Sequence, residues 1–126
     1  MVKYQRVDIY GMTVVFLANP TKVEFELMYH DNVERITDEE YKQMYKDAFD
    51  NDGCGGYTTL LSCGDIICCV KEVDNEGYVA HEILHATNRI LGSRGVILDA
   101  DNDEPQTYLC GWLTKVFYEA LKEEKK

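Results

Sequence analysis

Glu76-Gly77-Tyr78-Val79-Ala80-His81-Glu82-Ile83-Leu84-His85-Ala86-Thr87-Asn88-Arg89-Ile90-Leu91 carries a helical signature over its whole length. Val79, Ile83, Ala86, Ile90 and Leu91 recur at spacings of three and four, which makes an apolar stripe able to face a core. Asp74 and Asn75 are good capping residues ahead of it, Glu76 puts negative charge in the first turn, and Gly92 follows as a stop. Within this helix His81 and His85 stand one turn apart on one face, where two imidazoles can grip a single tetrahedral ion. Glu82 lies about 100° further around the helix. From there it cannot easily join the pair as a ligand, but it can reach a water on the open position of the metal and act as a base.

A third ligand is available downstream. Eighteen residues separate His85 from Glu104, which opens the run Glu104-Pro105-Gln106-Thr107-Tyr108-Leu109. Pro105 belongs in a first helical turn, and Asn102 or Asp103 would cap it. Leu109, Trp112, Leu113, Val116, Phe117 and Ala120 form the stripe that this second helix buries, leaving Glu104, Tyr108 and Gly111 on a neighbouring face. The linker Gly92-Ser93-Arg94-Gly95 permits a sharp reversal, so an antiparallel return can carry Glu104 to the histidines. The expected centre is therefore Zn2+ on His81, His85 and Glu104, with Glu82 as the general base for hydrolysis of a peptide bond.

These residues resemble the gluzincin branch of zinc metallopeptidases, in which two helices supply His, His and Glu to one metal. More narrowly, Gly77 to Asn88 and Asp103 to Trp112 are similar to small phage-encoded metallopeptidases and to the peptidase domain of the ImmA/IrrE type. From Gly77 to Trp112 the stretch that holds these segments spans a little under a third of the chain. One position departs from it. Gluzincins often carry an Asp one turn after the glutamate to orient a histidine, and Tyr108 stands there instead, leaving a phenol or a backbone carbonyl to receive the imidazole N–H. Among candidate donors to a tetrahedral oxyanion, Tyr108, Tyr78, His30 and Arg94, Tyr108 is the nearest because it shares a face with Glu104. The resemblance also implies that the strand before the motif helix, Ile66 to Lys71, forms the upper edge of a cleft and holds an extended peptide by strand addition; the alternative is a plain central strand.

Elsewhere, Met12 to Ala18 reads as a buried strand ended by Asn19-Pro20, and Val23 to Tyr29 alternates apolar with charged residues as a half-buried strand. Thr37 and Glu40 make a capping-box pair, after which Tyr41, Met44, Tyr45 and Ala48 repeat at helical spacing. Tyr57 to Leu61 and Ile66 to Val70 flank the turn-like Ser62-Cys63-Gly64-Asp65 as an antiparallel hairpin. Lys122 to Lys126 is expected to be a frayed helix end. The order of elements predicts one α+β domain over residues 1–126, a minimal zincin-like arrangement with helices on a small mixed or antiparallel sheet.

At 126 residues, with a formal net charge of -10, the chain offers no basic face for gripping phosphates, so nucleic acid is excluded as a partner and anionic membranes are disfavoured. No run is long and apolar enough to span a bilayer, and the amino terminus lacks a secretion-signal pattern. A cytoplasmic location is expected, that of the host cell if the chain is phage-encoded. Five cysteines, two of them adjacent, suit free thiols in a reducing compartment. Cys54, Cys63 and Cys68 or Cys69 offer a rival zinc site, but without a C-x-x-C knuckle. Asp99, Asp101 and Asp103 imitate the start of a calcium loop, yet Glu104 and Cys110 occupy positions that need glycine and glutamate. Two functions besides peptide hydrolysis fit the sequence: an acidic binding or inhibitory protein, directed at a host partner, that keeps zinc only for structure, and an acidic mimic of nucleic acid.

Overall fold

The computed structural model describes residues 1–124. Its centre is the apolar run β2 (Met12–Ala18), in which every residue but Thr13 is buried. Strand β1 (Val2–Val7) pairs antiparallel with β2 on one side, and β4 (Ile66–Val70) pairs parallel with it on the other. The outermost strand, β3 (Gly56–Leu60), is antiparallel to β4, giving a four-stranded mixed sheet in the order β1-β2-β4-β3.

Because side chains alternate along a strand, β2 and β4 feed two separate cores. Val14, Phe16, Ile66 and Cys68 point to the face covered by α3 (Glu76–Ser93) and α4 (Glu104–Glu124), where the Phe16 and Phe117 rings meet edge to face at 5.6 Å. Val15, Leu17, Ile67 and Cys69 point to the face covered by α1 (Lys22–Asp31) and α2 (Asp38–Phe49). The sheet thus lies between two helical layers. The mixed α and β character, the hairpin, the Thr37 cap and both carboxyl-terminal helices follow the sequence pattern, except that Trp112, expected in the buried stripe of α4, is 39% exposed. Of the frayed end expected over Lys122 to Lys126, α4 takes in residues up to Glu124, and residues 125–126 lie outside the described part.

Two expectations change, and one strand is unforeseen. Val23 to Tyr29 is not a strand but the body of α1. A period-two reading would bury Val23 and Leu27 together with Phe25, yet Val23 and Leu27 are 64% and 57% exposed while Phe25 and Met28, three apart, are 0% and 2%. The local signal that wins is a second capping box: Thr21 Oγ1 accepts the Glu24 N–H at 3.1 Å, and Glu24 Oε1 accepts the Thr21 N–H at 3.0 Å. Strand β1, with only Val7 fully buried, carries too weak an apolar pattern to announce itself. Finally, Ile66–Val70 is not an edge. It is flanked on both sides, so it has no free backbone row for strand addition, and the edge beside the motif helix is β3.

Removing the α1 cap gives a measurable effect. Thr21→Ala is expected to destabilise the fold by about 1 kcal/mol and to lower the thermal midpoint by about 4 °C, read by circular dichroism. The Thr21 N–H holds the Glu24 carboxyl below its usual range. A group with a depressed folded pKa stabilises above its unfolded value, so this contribution fades as pH falls through the lowered one.

Candidate metal centre

Helix α3 begins at Asn75, whose side chain accepts the N–H groups of Gly77 at 3.0 Å and Tyr78 at 3.3 Å. Val79, Ile83, Ala86, Ile90 and Leu91 then bury against the sheet and α4, as their spacing predicts. That seating turns His81 and His85 away from the core, and both are exposed. Their Nε2 atoms face each other at 3.1 Å, with ring centroids 4.6 Å apart and planes inclined at 79°. Zinc bonded at 2.0–2.1 Å to two nitrogens in a tetrahedron separates them by about 3.3 Å. The spacing is compatible with one ion between the rings after a shift of a few tenths of an ångström, and equally with a hydrogen bond from one ring nitrogen to the other.

Glu82 leaves the helix on the adjoining side and is buried, with 6% of its surface exposed. Its Oε1 accepts the Thr58 hydroxyl of β3 at 2.8 Å, and the same hydroxyl lies 3.1 Å from the Glu82 carbonyl oxygen. Consecutive glycines permit this seat. A β-carbon on Gly56 would lie 2.4 Å from the carbonyl oxygen of Cys69 and 2.9 Å from Glu82 Cγ; one on Gly55 would lie 2.8 Å from the Tyr78 ring. Tyr78 and Glu82, one helical turn apart, thus lean on the start of β3 where no side chain intervenes. Thr58 and this glycine pair were not singled out from the sequence. Adjacent glycines leading into a β-branched strand are the signal that could have found them, since a strand glycine often marks close approach of another chain segment.

The remaining candidates lie apart from the pair. Glu104 is exposed at the start of α4 and lines, with Tyr108, Trp112, Arg6 and Ile9, a groove of about 690 Å³. Tyr108 is 76% exposed. Among the described residues no three His, Cys, Asp or Glu side chains converge in a ligand geometry, so this arrangement brings together His81 and His85 but not Glu104. The first turn of α4 is nonetheless tied to the motif helix one turn beyond His85: Gln106 Nε2 donates to Asn88 Oδ1 at 2.7 Å. Arg94 donates through Nε to the Tyr10 carbonyl at 2.6 Å, which ties the end of α3 to the loop after β1. His30 sits in the last turn of α1, in the other helical layer, and cannot face this site.

All five cysteines are free; Cys63 is exposed and Cys68 and Cys69 are buried. Burial pushes the Cys69 thiol up to about 12 and raises Cys68 as well, so neither offers a thiolate near neutrality. No helix among the described residues is long and apolar enough to cross a membrane. No protein-family model matches the chain, and no curated protein or solved structure does either.

Proposed function

We propose that this chain is a zinc-dependent metallopeptidase with a minimal zincin-like fold, cleaving a specific intracellular protein. The observation that carries the reading is the facing pair of imidazole nitrogens, 3.1 Å apart, on the same helix as a buried carboxylate held by a strand hydroxyl. His81 and His85 supply two ligands directly. Glu104 would have to supply the third by reorienting at the first turn of α4, which contacts α3 through Gln106 and Asn88. Zinc held there would contribute Lewis acidity and lower the pKa of a water to about 7.

The protein's own groups do the proton work. Thr58 fixes Glu82 Oε1, leaving Oε2 to accept the proton released as water adds to the scissile carbonyl and to return it to the departing amine. The free outer edge of β3, next to Glu82, offers backbone groups to an extended peptide, taking over the role that the sequence suggested for Ile66–Lys71. Tyr108, exposed and on α4, would serve the oxyanion only together with the movement that brings Glu104 in.

Elemental analysis tests the metal directly. Purified protein equilibrated with zinc and desalted is expected to retain about one ion per chain by mass spectrometry, and His81→Ala to retain none while keeping its far-ultraviolet spectrum. Equal zinc contents in the two proteins would overturn the proposal.

A further inference from the structure

Strand β3 has a second face, turned away from the metal helix. Tyr57 and Thr59 lie in register with Cys69 and Ile67 and share the face covered by α2, whereas Thr58, opposite Cys68, points to Glu82. Between α2 and β3 lies a groove of about 390 Å³ lined by Glu39, Gln43, Asp47, Tyr57 and Thr59, with no basic residue in its lining. Glu40 also lines it but is engaged, accepting the Thr37 N–H at 2.9 Å and the Ser62 N–H at 2.9 Å. Among the described residues the Asp47 carboxylate receives a neutral amide, Gln43 Nε2 at 3.1 Å, and no cation. Lys71 gives its ammonium to the backbone carbonyls of Asp47 at 3.0 Å and Asn51 at 2.7 Å. The Tyr57 hydroxyl is closed off from solvent and turned toward the Cys69 thiol of β4. Burial holds it protonated, and the neighbouring Cys69 adds to the upward shift.

An extended peptide added to the edge of β3 sends alternate side chains to opposite faces of the sheet. One set falls toward α3 and Glu82, the other toward α2. The geometry points to the α2 groove as a subsite for a lysine or arginine side chain of a peptide lying along β3, an inference that rests on the peptidase reading above. A long side chain with a cationic end matches the groove in both respects. Its methylenes cover the Tyr57 and Thr59 wall, and its N–H donors meet the Asp47 and Glu39 carboxylates at the rim.

The test uses the zinc-loaded full chain and blocked nonapeptides of Ala, Ser and Thr, with one position scanned through Lys, Arg, norleucine and Glu. Binding is read by anisotropy of a terminal dye and cleavage by mass spectrometry. At low salt, Lys and Arg peptides are expected to bind about fivefold more tightly than norleucine, the upper range for a partly exposed ion pair, with the difference shrinking at 0.5 M salt. Glu39→Gln with Asp47→Asn should erase the preference, and Glu39→Lys with Asp47→Lys should turn it toward Glu. Cleavage without a basic preference, or a preference unchanged in both double variants, overturns the subsite and leaves the peptidase standing. Basic-selective binding that both variants alter, without cleavage of any peptide, keeps the subsite and overturns the peptidase. No measurable binding of any peptide overturns the subsite.

Discussion

Glu82→Gln is expected to lower peptide hydrolysis by about 10²–10⁴-fold, the usual contribution of a positioned general base, while zinc content stays unchanged. Glutamine preserves the shape of the side chain, and its amide oxygen can still accept the Thr58 hydroxyl that now binds Glu82 Oε1 at 2.8 Å. What disappears is the capacity to take a proton. Because Glu82 is buried against β3, the amide remains seated there, and neither His81 nor His85 depends on it for position. Turnover and bound zinc measured on the same preparation separate chemistry from structure. Unchanged turnover, or loss of turnover accompanied by loss of zinc, would reject the base role. A cellular effect that survives the substitution would instead fit an acidic binding or inhibitory protein that keeps zinc for structure.

Gly56→Ala is expected to cost about 3 kcal/mol, an effect on the order of 10 °C in thermal midpoint, and to displace Glu82. The obstacle is backbone. The added carbon would sit 2.4 Å from the carbonyl oxygen of Cys69, which lies in the central strand and cannot retreat without disturbing β4. Its second neighbour, Glu82 Cγ at 2.9 Å, would be pushed from the Thr58 hydroxyl. Gly55→Ala makes the informative control. Its three nearest atoms all belong to the ring of Tyr78, which is 40% exposed and can swing outward, so the loss should stay below about 1 kcal/mol. Equal thermal midpoints for the two variants would show that the strand–helix contact is looser than described.

Much of this molecule could be read in the sequence because its strongest signals are local and mutually consistent. The apolar stripe of α3, the Asn75 cap and the spacing of His81 and His85 all belong to one helix, where periodicity alone places side chains on faces. The hairpin and the Thr37 cap are legible for the same reason. Val23 to Tyr29 misled because V-E-F-E-L-M-Y satisfies period two while Phe25 and Met28 also satisfy a helical spacing; the Thr21–Glu24 pair, only three residues apart, settles it. The role of Ile66–Val70 follows from pairing with a strand about fifty positions earlier, which no local pattern encodes. Even so, its unbroken apolar run, fully buried throughout, favours an interior strand, while Gly-Tyr-Thr-Thr-Leu suits an edge. Whether Glu104 meets the histidines depends on the loop between two helices, and spacing along the chain does not determine that.

The adjacent sulfurs of Cys68 and Cys69 lie on opposite faces of the innermost pairing, one toward each helical layer. A maleimide can find Cys63 on the folded protein at once, but it meets these two only when a layer lifts from the sheet. The chain therefore carries a pair of native chemical reporters, one for each side of its interior. Their relative labelling rates would reveal which layer opens first, without any engineered probe.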